Sequence, residues 1–185
     1  MKYQLMKPNN PYLPNSTQMV EIIIWQYKAS KDGKFLDDII SIWTKPYNKN
    51  TPPYSHSEIE FVKVNLCFSA ATRGDGKNRV RFEDRSKVLK HPERWDGYSC
   101  YFYEADVYEM FERALLKEGK KYYYVGIFLD FVMGFKHISI WFGKKLDEWY
   151  CSLIVYFVLN NLRKRVSPRR LTRWIMEDGF VLIKP

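Results

Sequence analysis

Ser55-His56-Ser57-Glu58-Ile59-Glu60-Phe61 opens the stretch that decides the fold. Extended backbone places successive side chains on opposite faces, so His56, Glu58 and Glu60 share one face and Ser57, Ile59 and Phe61 the other. The strand pattern continues from Val62 to Ala70. Thr72-Arg73-Gly74-Asp75-Gly76-Lys77-Asn78 then reads as a hairpin turn into a further strand, Arg79 to Phe82. Gly and Asp supply the positive φ angles that such a turn needs, and this is the reading of Arg73-Gly74-Asp75 ahead of an integrin-type ligand. Neighbouring strands joined by tight turns make an antiparallel sheet.

Working towards the N-terminus, Met19 to Trp25 is an apolar, β-branched run that reads as a buried strand. Ser30 to Gly33 is a turn. Phe35, Leu36, Ile39, Ile40 and Trp43 fall at helical spacing, and the prolines of Lys45 to Tyr54 make that stretch a loop. Working towards the C-terminus, Ser99 to Ala105 reads as a strand. Asp106 is expected to cap a helix that runs to about Lys117 and is closed by Gly119. Tyr122 to Gly134 reads as a second helix, residues 135–147 as irregular, and Trp149 to Leu162 as the clearest helix. Ser167 and Pro168 start a last helix, as N-cap and first-turn proline, that Gly179 ends, and Phe180 to Ile183 is a short strand. Helices and antiparallel strands mix, which is the α+β class. No internal repeat is visible. Residues 1–185 read as a single domain, with 1–18 as an irregular N-terminal segment.

With 46% hydrophobic and 17% aromatic residues in 185, the chain can bury a core and is not a disordered type. Three cysteines are too few for a disulfide scaffold and suit a reduced compartment. No apolar run is long enough for a membrane span, and Met1 to Asn15 is polar and lacks the apolar core of a signal peptide. Cytoplasmic synthesis is therefore expected, with any export by other means. The net charge of +9 suggests an anionic partner such as a wall polymer, a membrane surface or nucleic acid. The densest basic cluster is Arg163, Lys164, Arg165, Arg169, Arg170 and Arg173. Nucleic acid is possible there, but a solvated basic face is the favoured reading.

Of the three cysteines, Cys151 alone has a physical reason to be reactive. It stands at the start of the helix near Trp149, where free N–H groups and the helix dipole stabilise a thiolate and a developing oxyanion. It also shares a stripe with Ile154, Val155, Val158, Leu159 and Leu162, so a core cysteine is the competing reading. A thiol needs a base, and the histidines are His56, His91 and His137. His56 has Glu58 two residues along the same face, placed to orient an imidazole; a solvated polar face is the alternative. His56, Glu58 and Cys151 with a further histidine could bind a metal. The sequence lacks a His-Glu-x-x-His or Cys-x-x-Cys pair, and no metal is expected. Gly74-Asp75-Gly76-Lys77 lacks the spacing of a phosphate loop, so no cofactor is expected either.

Taken in order, these segments resemble the circularly permuted papain-like cysteine hydrolases of the NlpC-type superfamily, close to the YiiX/YebB-like branch of bacteria and phages. Phe35 to Thr44 followed by Tyr54-Ser55-His56-Ser57-Glu58-Ile59 is similar to the branch's helix, loop and Ser-His-x-Glu-Ile strand. Cys67-Phe68-Ser69-Ala70 with Arg79-Val80-Arg81 resembles its next hairpin. Tyr122 to Phe128 resembles a Tyr-Asp-x-x-Gly segment, Trp149-Tyr150-Cys151-Ser152 a Cys-Ser-Glu-Leu helix start, and Val166-Ser167-Pro168 through Leu171 a Ser-Pro-x-x-Leu segment. The resemblance covers about residues 19–183. It implies a permuted papain-like fold, an antiparallel sheet packed against helices, with the nucleophile at a helix N-terminus. It also implies a Cys151 nucleophile, a His56 base, and hydrolysis of an amide, ester or thioester through an acyl-enzyme. Glu58 is the expected third residue, with Glu60 and Ser69 as alternatives. The implied substrates are cell-wall (peptidoglycan) peptides or acyl groups. Leu153 stands where the branch has Glu, and Tyr123 where it has Asp. An inactive relative, or a basic protein binding an anionic polymer, is the alternative function.

Overall fold

The structure, a computed structural model, describes residues 17–28, 52–71, 78–122, 149–162 and 166–183. Its strands are β1 (Met19–Lys28), β2 (Tyr54–Phe61), β3 (Leu66–Ala71), β4 (Arg79–Asp84), β5 (Trp95–Tyr103) and β6 (Val181–Ile183). Its helices are α1 (Arg85–Val88), α2 (Glu104–Leu115), α3 (Cys151–Asn160) and α4 (Pro168–Glu177). The six strands form one sheet in the order β4-β3-β2-β1-β5-β6, and every neighbouring pair is antiparallel. The protein is thus α+β. No helix among the described residues is long and apolar enough to cross a membrane.

β1 is apolar on both sides because it is a central strand covered on both faces. Ile22 and Ile24 join Ile59, Phe61, Phe68, Phe82 and Tyr98 in the main core, under residues of α2, α3 and α4. Ile23, Trp25 and Tyr27 point the other way and pack with Cys67 and Trp95 in a second cluster. The register carries this division across the sheet. Ile24 lies opposite Ile59, while Trp25 and Tyr27 lie opposite Glu58 and His56. The polar face of β2 therefore belongs to the second cluster. It is not a solvated face: Glu58 is 3% exposed and Glu60 is also buried.

Several boundaries differ from the sequence reading, each for a local reason. The expected continuous strand from Val62 to Ala70 is interrupted by a 3-10 turn at Val62–Val64 and by Asn65 at φ 55°. Asn tolerates the left-handed region better than most residues, and the reversal it makes lets β3 run back along β2. Asp106 is not the cap of α2. The helix begins at Glu104, whose N–H donates to the Gln18 carbonyl at 3.0 Å, so a backbone acceptor takes the place of a side-chain cap. α3 begins at Cys151 and ends at Asn160, because Asn161 turns left-handed at φ 54°. Leu162 therefore leaves the apolar stripe and is 58% exposed. Tyr54, expected in a loop, pairs with Lys28 as the first residue of β2. α4 follows its signals: Pro168 opens it, the Ser167 hydroxyl accepts from the Arg170 N–H at 3.3 Å, and Gly179 follows at φ 87°. The elements expected over Ser30–Gly33, Phe35–Trp43 and 135–147 lie outside the described residues, as do the Thr72–Asn78 turn except Asn78 and the Tyr122–Gly134 helix except Tyr122, which forms a β-bridge with Trp149.

β5 starts at Trp95, four residues earlier than expected. Gly97 lies opposite Trp25, and a Cβ there would stand 2.6 Å from Trp25 Cζ3 and 3.0 Å from Ile183 Cγ1. Trp25 is fully buried and cannot swing aside. Gly97→Ala is therefore expected to cost about 1–3 kcal/mol by overpacking. Urea unfolding followed by tryptophan fluorescence should show a lower midpoint with an unchanged slope, and a wild-type midpoint would contradict this packing.

Candidate active site

Cys151 is placed by the chain on both sides of it. The Trp149 N–H donates to the Lys121 carbonyl at 3.0 Å, and Trp149 bridges to Tyr122 in parallel. Lys121 in turn bridges to Arg79 at the start of β4. The entry to α3 is thus tied to the sheet just before the helix begins. Tyr150 is the extended N-cap and makes no side-chain cap, so Cys151 is the first helical residue and no cap consumes the free amides. On the far side, the buried Ser152 hydroxyl donates to the Val166 carbonyl at 2.6 Å, joining α3 to the lead-in of α4.

The sheet opens where this helix end meets it. β2 and β3 pair at Phe61, Glu60 and Ile59 and then separate. Ser57 is left with an N–H and a carbonyl that β3 does not use. The carbonyl accepts from the Ser69 hydroxyl at 2.6 Å. The N–H donates to the sulfur of Cys151, which also receives the Ser152 N–H. The thiol therefore stands at a gap in the sheet, one residue along β2 from His56.

His56 is held from three sides. Its Nε2 is 3.0 Å from Glu58 Oε1. Its ring meets Trp95 edge-on with centroids 6.1 Å apart. It also hydrogen-bonds the Cys151 side chain, and with Nε2 on Glu58 the nitrogen left for the sulfur is Nδ1. The start of β2 is pinned as well: the buried Tyr54 hydroxyl donates to Asp96 Oδ2 at 2.7 Å and lies 2.9 Å from the Tyr98 hydroxyl.

The electrostatics of the pair follow from these contacts. Burial works against charge on both groups, as the largest single influence on each. It is outweighed by their mutual attraction and hydrogen bond. Glu58 adds to the effect on His56, and the Ser57 and Ser152 amides to that on Cys151. The imidazole is pushed up from 6.5 to about 9. The thiol is drawn below its ordinary value. The two titrate as one unit, and the contacts together favour a thiolate–imidazolium ion pair over the neutral thiol and imidazole.

The other candidate residues have different surroundings. Glu60 accepts from Trp25 Nε1 at 2.6 Å and faces Arg85 Nε at 3.4 Å, so its partners are not His56. Ser69 serves the Ser57 carbonyl. Leu153 is buried in the main core. Burial pushes the thiols of Cys67 and Cys100 up, away from reactivity. His91 is exposed beside Glu93 at 3.7 Å. His137, Tyr123 and the cluster Arg163 to Arg165 lie outside the described residues, while Arg170 and Arg173 are exposed on α4. No cluster of metal-binding side chains occurs among the described residues.

One residue at the site was passed over in the sequence. Arg81 on β4 is 8% exposed, and its Nη1 lies 3.9 Å from Glu58 Oε1. Its alternation with Val80 and Phe82 reads as an ordinary outward charge. The usable signal is that it sits in register with Ser69, one strand beyond the histidine strand.

An ion pair of this kind has a direct signature. Thiolate absorbance is expected in the native protein at neutral pH, from one cysteine. His56→Ala removes the attraction and leaves burial, so the Cys151 thiol should then titrate above the ordinary range of about 8.5–9. An absorbance titration of the two proteins checks this, and identical curves would exclude the pair. Comparisons with protein-family models, with curated proteins and with solved structures each find no match.

Proposed function

We propose that the protein is a thiol hydrolase that cleaves an amide, ester or thioester through an acyl-enzyme on Cys151. The observation that carries the reading is the contact of Cys151, as the first residue of α3, with an imidazole that Glu58 holds from its other nitrogen. A core cysteine needs neither a charged partner nor an amide aimed at its sulfur.

The steps follow from the groups in place. The thiolate attacks the carbonyl carbon, and the carbonyl oxygen takes the negative charge beside the uncapped amides at the start of α3. The imidazolium of His56 gives its proton to the leaving amine, alcohol or thiol, and the C–S acyl bond remains. His56, now neutral, takes a proton from water as water attacks the acyl carbon. The acid leaves, and the ion pair is restored. Glu58 fixes the ring through Nε2, so that Nδ1 exchanges the proton.

The permuted papain-like architecture belongs to the same proposal. The histidine strand precedes the cysteine helix in the chain, and that helix packs on an antiparallel sheet. The net charge of +9 favours an anionic setting, which suits a cell-wall peptide or an acyl group at a membrane surface. Leu153 takes part in the core, so the position that carries Glu in the resembled branch contributes packing here.

The test uses activated aryl esters, thioesters and wall-type peptides, with intact-mass detection of the acyl-enzyme. Cys151→Ala is expected to abolish the adduct, and His56→Ala to lower turnover by about two to four orders of magnitude. The rate should rise with pH as the thiolate forms. It should fall as His56 loses its proton through about pH 9. An adduct that forms equally well without His56, or a wild-type thiol inert to both substrates and iodoacetamide, would overturn the reading.

A further inference from the structure

We infer that Arg81 is a positioning residue for this site, acting on the Cys151–His56 pair through Glu58; the inference rests on the hydrolase reading above. The placement is unusual for an arginine. It is 8% exposed on the face that carries Glu58, and its Nη1 stands 3.9 Å from Glu58 Oε1, the oxygen that also faces His56 Nε2 at 3.0 Å. That distance is a charge contact rather than a hydrogen bond. Nη1 and Nε have no hydrogen-bond partner among the described residues, and neither has Glu58 Oε2.

The charged groups around Arg81 fall into a sequence. Glu58 faces it from β2, and Glu83 Oε2 lies 3.7 Å from its Nε on β4 itself. Lys87 of α1 closes on Glu83 at 3.1 Å at the surface. Alternating charges therefore run from the thiolate through His56, Glu58, Arg81 and Glu83 to an exposed lysine. Glu60 and Arg85 form a separate pair beside this row, and the protonated Cys67 lies between the two. A buried carboxylate with only an imidazole beside it would be poorly compensated. The guanidinium supplies the missing countercharge, so that Glu58 accepts from Nε2 and leaves Nδ1 for the sulfur.

The experiment measures the pH dependence of Cys151 alkylation by iodoacetamide, read by peptide mass, alongside thiolate absorbance and thermal unfolding. Proteins compared are the wild type, His56→Ala, Arg81→Met, Arg81→Lys, Glu58→Gln and the double variant Arg81→Met/Glu58→Gln. The wild type and His56→Ala decide the underlying reading on their own. If they coincide, the hydrolase proposal fails, and this one with it. If they differ, Arg81→Met is expected to move the thiolate midpoint up by about one pH unit, with labelling at neutral pH about tenfold slower. Arg81→Lys should restore most of it, and Arg81→Met should add nothing once Glu58 is Gln. A wild-type midpoint in Arg81→Met, or an equal shift in both backgrounds, overturns the role of Arg81 and leaves the hydrolase reading standing. Where Arg81→Met does not fold, the neutral Arg81→Gln takes its place: a raised midpoint that Arg81→Lys does not share supports the countercharge, and a wild-type midpoint overturns it.

Discussion

A buried sheet must satisfy every backbone amide it carries, and at Ser57 this sheet declines to do so with a strand. β2 and β3 separate after Ile59 and Phe68. The Ser57 carbonyl is met by a side chain, Ser69, and its N–H by a sulfur. A free amide beside a thiol draws the thiol towards its anion, and an anion at that point calls for a cation. His56 is the next residue along the same strand. The position of Cys151, the charge of His56 and the burial of Glu58 all follow from this one opening in the ladder.

The opening is useful only because both faces of the sheet are closed around it. On one side the first turn of α3 rests on the aromatic and aliphatic core of β1 to β4. On the other, Trp25, Tyr27 and Trp95 wall in the polar row of β2, with Tyr27 meeting Trp95 edge-on at 5.0 Å. Gly97 is the concession that makes this wall possible, since Trp25 occupies the space of its missing side chain. The low dielectric of such an enclosure strengthens the attraction between the paired charges and raises the cost of leaving any of them alone.

Much of this was legible in the sequence, for identifiable reasons. A period of two put His56, Glu58 and Glu60 on one face, and the register agrees with it. Ser167, Pro168 and Gly179 are local signals, and α4 obeys them. The placing of Cys151 at a helix start was also readable, to within the two residues that Trp149 and Tyr150 spend on reaching the sheet. What could not be read depends on distant partners. The alternating charges of β2 and β4 look like solvent faces until Trp25 and Trp95 are known to cover them. The start of β5 at Trp95 ahead of Ser99 is not visible until Gly97 is known to lie under Trp25. The engagement of Glu60 by the Trp25 indole, which leaves Glu58 as the carboxylate beside His56, also depends on a partner 35 residues away.

The row of charges on the covered face is hard to explain by stability. Replacing a buried ion pair with well-packed apolar residues of similar size is often neutral or favourable, so a fold has little structural reason to keep one. Here Glu58 and Arg81 keep company in the interior at a distance too long for a hydrogen bond, each with polar atoms unsatisfied among the described residues. An arrangement that adds so little to folding is best understood by what it does to its neighbour. The neighbour is His56, and the quantity the row controls is the charge on its ring. A carboxylate on Nε2 and a thiolate at Nδ1 together hold the imidazole protonated well above its ordinary range. The cost of Glu58 and Arg81 to the fold and the charge favoured on the His56 ring are therefore two consequences of the same placement.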